Sequence, residues 1–252
     1  MAATKNSKQT LAIDVGGTGI KASVLGPDGK MTHERVRDET PYPLSPRVLL
    51  ATIDDLVRNL PAFDRISVGF PGMVREGKIL TAPHFLSIKA ADGKPDPNLV
   101  AAWHSFDLQG ALTKAYDKPA KVANDADLQG AAVVTGKGLE LVVTLGTGVG
   151  TGLFYRGQLC PHLELAQHPL RGKKTYNEVL GEAARKKAGG PKWNKRVRQM
   201  IDTLHTLLFW DHLYLGGGNA ERVKGKLPDG VTLIDNAAGI LGGIRLWEQS
   251  SV

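Results

Sequence analysis

The feature that most constrains this chain is a repeat. The stretch Leu11-Ala12-Ile13-Asp14-Val15-Gly16 returns 130 residues later as Leu141-Val142-Val143-Thr144-Leu145-Gly146. Each copy is an apolar run of strand length that breaks into a glycine/threonine turn and resumes as a second strand. One such unit also reads as an ordinary hairpin with a glycine turn. Two at half-chain separation predict a duplicated domain, whose related halves would face their glycine turns across a cleft. The turn chemistry suits a phosphate chain. Glycines lack a Cβ, so backbone N–H groups can close on an oxyanion. Gly16 and Gly17 supply that freedom, Thr18 a hydroxyl donor and Lys21 a positive charge, while Asp14 offers a carboxylate for a hydrated Mg²⁺.

Around these units the punctuation predicts mixed strands and helices, an α/β chain. Strands are expected at 31–36, 65–70, 121–123, 139–145, 151–155, 212–215 and 231–234. Ser45 with Pro46 opens a helix whose apolar face is Leu49, Leu50, Ile53, Leu56, Val57 and Leu60. Glu76-Gly77 reads as a hairpin tip, and Asp107 as the cap of a helix running to Tyr116. Further helices are expected at 128–135, 175–188 and 194–209, with a last one from Ala237. Residues 81–104 carry Pro83, Gly93, Pro95 and Pro97 and read as irregular; a connection this long is usually functional or mobile.

Composition narrows the class. With 252 residues, 42% of them hydrophobic, the chain can bury a full core. The polar start, residues 1–10, predicts no signal peptide, and no apolar run reaches membrane-spanning length. Cys160 is the sole cysteine, so neither an intrachain disulfide framework nor a cysteine-rich zinc site is expected. A cytoplasmic setting is the expectation. The net charge of +7 is local, because ten basic residues between Arg171 and Arg198 face only Glu178 and Glu182. Such a patch points to a polyanion or to a solvated helix face. With few aromatics there (Tyr176, Trp193) and no groove-reading motif, nucleic acid is not the expected partner.

Asp14-x-Gly16-Gly17-Thr18-x-x-Lys21, the turn Leu145-Gly146-Thr147-Gly148-Val149-Gly150, and Leu215-Gly216-Gly217-Gly218 resemble the three nucleotide-contacting segments of the actin-like ATPase (ribonuclease H-like) fold. With Asn124-Asp125 between them, the set is similar to the ROK family (repressors, open reading frames and sugar kinases), in particular its polyphosphate glucokinase branch. The resemblance implies two α/β lobes: a small one over 9–123, joined by the C-terminal helix 237–250, and a larger one over 124–236. It implies a phosphotransferase that moves a phosphoryl group from inorganic polyphosphate or ATP, with Mg²⁺ near Asp14, to a sugar hydroxyl, glucose first. Asp125 would be the general base and Asn124 a sugar ligand. Without the resemblance, Asp125 or Asp127 reads as a cap of the following helix.

The donor would be clamped by Gly16, Gly17, Thr18, Lys21, Gly146, Thr147 and Gly148, with Gly216, Gly217, Gly218 and Asn219 open to adenosine. Kinases of the family show Glu-x-Gly-His at the sugar. Here the aligned residues are Glu164-Leu165-Ala166-Gln167, followed by His168, and Gln167 can still donate and accept hydrogen bonds. A further family glutamate has no clear counterpart, since Tyr176 or Asn177 occupies its register, and the adjoining Glu178 is the substrate-binding candidate. Lys173, Lys174, Arg185, Lys186 and Lys187 would form a polyphosphate track. The zinc cluster of many members has no counterpart, and a homodimer without membrane association is expected. The alternatives are a sugar-responsive sensor, or a kinase for another acceptor such as mannose, glucosamine or a non-sugar alcohol. With about ten polar residues ahead of the first strand, a DNA-binding helix-turn-helix is not expected.

Overall fold

The computed structural model describes residues 8–89, 94–234 and 238–248. Residues 1–7 of the polar start, 90–93 of the long irregular segment, 235–237 and 249–252 lie outside the described residues. The chain forms two compact units. One comprises the described residues up to Gln129 together with those from Gly239; the other spans Gly130–Ala238.

In the first unit β1 (Thr10–Val15) and β2 (Ile20–Leu25) form the expected hairpin, and β3 (Val36–Asp38) lies on its outer edge. Helix α1 (Pro46–Val57) follows, capped by Ser45 Oγ, which accepts from Val48 N. Its buried face is Leu49, Ile53, Leu56 and Val57, each burial worth about 1.5–3 kcal/mol. Strand β4 (Arg65–Phe70) is parallel to β1. β5 (Val74–Arg75), β6 (Lys78–Ile79) and β7 (Phe106–Asp107) form a small sheet, with Glu76-Gly77 at its tip. Between them lie α2 (Pro97–Trp103) and a single turn at Pro83–Phe85. α3 (Leu108–Tyr116) is capped by Asp107, and β8 (Ala120–Asn124) leads directly into α4 (Asp125–Ala131). The sheet order is β3-β2-β1-β4-β8.

Alternation along β1 divides this sheet's faces. Leu11, Ile13 and Val15 join the core with α1 and α3. Ala12 packs on the other face with Leu25 and Ile244.

The second unit repeats the plan. β9 (Leu139–Leu145) and β10 (Val149–Tyr155) form an antiparallel hairpin, extended by β11 (Gln158–Leu159). β12 (Pro169–Arg171) and β13 (Lys174–Thr175) make a short ribbon, followed by α5 (Tyr176–Leu180), α6 (Glu182–Ala188) and α7 (Gly190–Leu208). β14 (His212–Gly216) is parallel to β9, and β15 (Val231–Leu233) is parallel to β14. The order β11-β10-β9-β14-β15 has the same sequence of antiparallel and parallel neighbours as the first sheet. The terminal helix is described as α8 (Ala238–Arg245) and belongs, from Gly239, with the first unit.

Five expectations need correction. The strand expected at 31–36 is β3, because only Val36 onward pairs with β2 and Met31 makes a single bridge to Leu25. The helix expected at 128–135 starts at Asp125, since Asn124 Oδ1 accepts from Ala126 N and turns the Asn-Asp-Ala-Asp run into a helix start. The helix expected at 175–188 is broken at Gly181, where a Cβ would lie 2.5 Å from Thr147 O. The helix expected at 194–209 begins at Gly190, because Pro191 sits in its first turn, where a missing N–H costs nothing. The irregular segment contains α2, held by Asp96 at its cap and by Trp103, whose Nε1 donates to Leu44 O (2.9 Å) within an aromatic cluster of Phe70, Phe85 and Phe106. Among the described residues no helix is long and apolar enough to cross a membrane.

One buried carboxylate organises the turn that leads into β9. Glu140 is fully buried and accepts from Thr135 N (2.6 Å), Thr135 Oγ1 (3.0 Å), Gly136 N (2.7 Å) and Tyr214 Oη (3.0 Å). Burial pushes its pKa up, but the four hydrogen bonds outweigh that and hold it below its ordinary value. Its stabilisation is therefore present above the unfolded carboxylate's pKa and lost as pH falls through the depressed folded value. Replacing Glu140 with Gln is expected to cost about 1–3 kcal/mol at pH 7 and to flatten the acid limb of a Tm-against-pH curve. An unchanged acid limb would contradict this role.

Candidate active site

The phosphate turn of the first unit is built from Gly16 to Gly19. Gly16 N donates to Gly19 O (3.0 Å), closing the turn. The turn carbonyls are held by three side chains from the segment after β2. Thr40 Oγ1 donates to Gly16 O, Tyr42 Oη lies 2.8 Å from Gly17 O, and Arg37 Nη2 donates to Thr18 O (3.1 Å). With the oxygens so engaged, the N–H groups of Gly17, Thr18 and Gly19 have no acceptor among the described residues. A turn with tethered carbonyls and uncommitted N–H groups is an anion cradle. Lys21 Nζ lies 2.9 Å from Asp14 Oδ2, both side chains about one-third exposed (33% and 34%).

Register brings Asp125 to the same end of this sheet. Asp14 pairs with Gly69 on β4, and Gly69 with Ala123 on β8, the residue before Asn124-Asp125. A Cβ on Gly69 would stand 3.5 Å from Asp125 Cα and 3.1 Å from Leu128 Cδ2, so glycine there admits α4 against the strand. Asn124 is buried; its Nδ2 donates to Gly72 O (3.0 Å) and its Oδ1 accepts from Ala126 N (2.8 Å). Half of its amide's capacity is thus structural, leaving one hydrogen and one lone pair for a ligand. Asp125 is partly exposed at the first helical position, where the helix dipole favours a carboxylate, and its Oδ1 accepts from Ala126 N (2.9 Å). Asp127 is buried in the next position but one.

The glycine turns of the second unit converge on one another. Gly146 N donates to Gly148 O (2.9 Å), while Gly146 O accepts from Glu182 N (3.0 Å) and from Asn219 Nδ2 (3.1 Å). Gly217 adopts a left-handed backbone (φ 85°), and a Cβ there would lie 2.5 Å from Leu145 N and O. The Gly216–Asn219 turn is therefore packed directly on the Gly146–Gly148 turn. Asn177 Oδ1 accepts from Val149 N (2.6 Å) at the exit of the same turn. The Glu182 carboxyl is drawn down to about 2, chiefly by the Arg185 fork, with Asn219 and Lys186 also donating to it.

This rearranges the basic patch. Arg185 and Lys186 pair with Glu182, Arg196 donates to Val179 O, and Arg198 donates to Lys224 O and Lys226 O. Lys173, Lys174, Lys187, Lys192 and Lys195 are exposed. Glu178 forms a capping box with Thr175, its Oε2 accepting from Thr175 N (2.8 Å).

At the sugar motif, Glu164 enters a short turn at Leu165–Gln167, Ala166 is buried and Gln167 is exposed. His168 packs against the buried Tyr176 ring at a tilt of 48° (centroids 5.4 Å). The imidazole beside Glu164 is that of His162, whose side chain is 4% exposed with Nε2 3.7 Å from Glu164 Oε1. Sequence reading missed Arg37, Thr40, Tyr42, His162 and Glu182 as site residues. Arg37 lies just past the strand expected at 31–36, Thr40 and Tyr42 at a proline-punctuated stretch read only as a chain break, and Glu182 registered only as a charge opposing the patch.

Two sheets of one topology, each with a glycine turn after its first strand, define the actin-like ATPase fold. Within that fold the chain belongs to the ROK family, whose model matches residues 10–161. The chain is 26% identical over 247 residues to the polyphosphate glucokinase of Mycobacterium tuberculosis, covering 91% of this chain and 88% of that one. It is 34% identical over 160 residues to the N-acetylmannosamine kinase of Escherichia fergusonii, 60% of this chain and 48% of that one. Among solved structures, the inorganic polyphosphate/ATP-glucomannokinase of Arthrobacter sp. strain KM superposes with a TM-score of 0.78 at 25% identity, covering 96% of this chain and all of that one.

Proposed function

We propose that this chain is a sugar kinase that transfers the terminal phosphoryl group of inorganic polyphosphate, or of ATP, to a hexose hydroxyl, with glucose as the first acceptor. The observation that carries this reading is the common sheet end in the first unit, where the cradle of uncommitted N–H groups, Lys21 and the Asp125 carboxylate lie in neighbouring register. Phosphoryl transfer needs clamped charge, an aimed hydroxyl and a proton acceptor. Asp125 takes the hydroxyl proton as the sugar oxygen bonds to phosphorus. The bridging P–O bond breaks, and the shortened polyphosphate or ADP carries off the bonding pair. The N–H groups of Gly17, Thr18 and Gly19 stabilise charge on the donor oxygens, and Asn124 holds a sugar hydroxyl.

Among the described residues no three His, Cys, Asp or Glu side chains gather into a metal cage. The Asp14 carboxylate, about one-third exposed beside the turn, would hold Mg²⁺ through water. When bound, the ion would neutralise donor charge.

A matrix of polyphosphate and ATP against glucose, mannose, glucosamine and N-acetylmannosamine, read as hexose 6-phosphate, tests the assignment. Glucose with polyphosphate is expected to be the most active pair. Gln167 in place of the family histidine favours a second reading, a sugar sensor. Glucose binding with no phosphorylated product from any donor would select it. For the patch, reversing charge at Lys187 and Lys192 is expected to raise the KM for long polyphosphate more than that for ATP. Equal effects would mark these lysines as a solvated surface.

A further inference from the structure

Arg37 stands outside the Asp-x-Gly-Gly-Thr-x-x-Lys pattern and reaches the phosphate turn only through sheet pairing. Arg37 on β3 lies directly opposite Lys21 on β2, which lies directly opposite Asp14 on β1. Directly opposed residues share a face, so one negative and two positive side chains form a row across the sheet. Lys21 is paired with Asp14 at 2.9 Å, and its charge is balanced before any ligand arrives. Arg37 is exposed and has no carboxylate partner among the described residues.

Its position is specific. Nη2 donates to Thr18 O (3.1 Å), and Nε and Nη2 both lie 2.7 Å from where a Cβ on Gly19 would stand. Gly19 is not among the glycines with positive φ, so its backbone does not require glycine. The guanidinium occupies the space where a Cβ would stand. A side chain at position 19 and Arg37 over the turn exclude one another.

We propose that Arg37 is a donor-binding residue: its guanidinium receives the phosphate next to the one being transferred, so that the turn grips a linear phosphate chain with N–H groups and a forked cation together. One fork edge is used on Thr18 O, and the remaining N–H donors match phosphate oxygens. This rests on the kinase reading of the turn, and the experiment separates the two.

Binding of inorganic tripolyphosphate is measured by calorimetry without sugar, alongside donor and hexose KM in the transfer assay. Arg37→Gln is expected to weaken tripolyphosphate binding and raise donor KM by about tenfold or more, with hexose KM unchanged. Arg37→Lys is expected to recover part of the loss, since a point charge replaces a fork. Gly19→Ala keeps the charge but displaces the guanidinium, and is expected to shift donor KM in the same direction as Arg37→Gln. Wild-type tripolyphosphate affinity in Arg37→Gln overturns the proposal. Arg37-dependent tripolyphosphate binding without hexose phosphate from the wild-type chain would instead sustain the anion site and remove the kinase reading.

Discussion

Replacing Asp125 with Asn is expected to lower phosphoryl transfer by about 10²- to 10⁴-fold, the range lost when a positioned general base is removed. The fold should be untouched. Asn keeps an Oδ1 that can accept from Ala126 N, the bond Asp125 makes at 2.9 Å, and Asn124 Oδ1 also serves that N–H. Tripolyphosphate and glucose affinities are expected to stay near wild type, because the variant removes a proton acceptor and leaves the Gly16–Gly19 cradle intact. The measurement is kcat for hexose 6-phosphate formation beside Tm and both ligand affinities. Unchanged turnover would return Asp125 to a helix-start role; loss of Tm would make it structural.

The second large effect is on stability. Gly242→Ala is expected to destabilise the chain by about 3 kcal/mol, the upper part of the range for overpacking a close contact. A Cβ at Gly242 would stand 1.6 Å from Leu128 O, a backbone atom of α4 that cannot swing aside. The terminal helix is otherwise fastened by Ser67 Oγ donating to Gly243 O (2.6 Å), Lys121 Nζ to Leu246 O (3.0 Å) and Trp247 Nε1 to Ser67 Oγ (2.8 Å). Arg65 and Lys121 also lie over the Trp247 ring, and burial lowers the pKa of both. Since α4 begins at Asp125, the displaced helix would also move the proposed base. Urea denaturation gives the stability change, and a Gly242→Ala Tm equal to wild type would contradict the packing. Gly190→Ala is the control, because a Cβ there meets nothing within 4 Å.

Much of the fold was legible because it is written in local chemistry. Ser45-Pro46 caps α1, Arg65–Phe70 and Leu139–Leu145 match their strands residue for residue, and Asp107 caps α3. The errors fall where side chains act on distant backbone. Asn124 turns an apparent loop into a helix start by bonding Ala126 N while tied to Gly72. Gly181 breaks a continuous helical pattern because Thr147 O, 34 residues away in sequence, lies against it. Neither contact leaves a periodic trace.

The sequence by itself determined the duplication, the α/β alternation and the glycine turn at Gly16–Gly19, because spacing and glycine content suffice for these. It also singled out Asp14, Lys21 and Asp125 as chemistry-bearing. Only the tertiary structure decided which charges remain for a ligand: Lys21 balanced by Asp14, Arg185 and Lys186 drawn to Glu182, and Arg37 held over Gly19 with no acidic partner among the described residues. The physical reason is that a charge's effect depends on what lies within a few ångströms of it, and strand register, not sequence spacing, sets those neighbours.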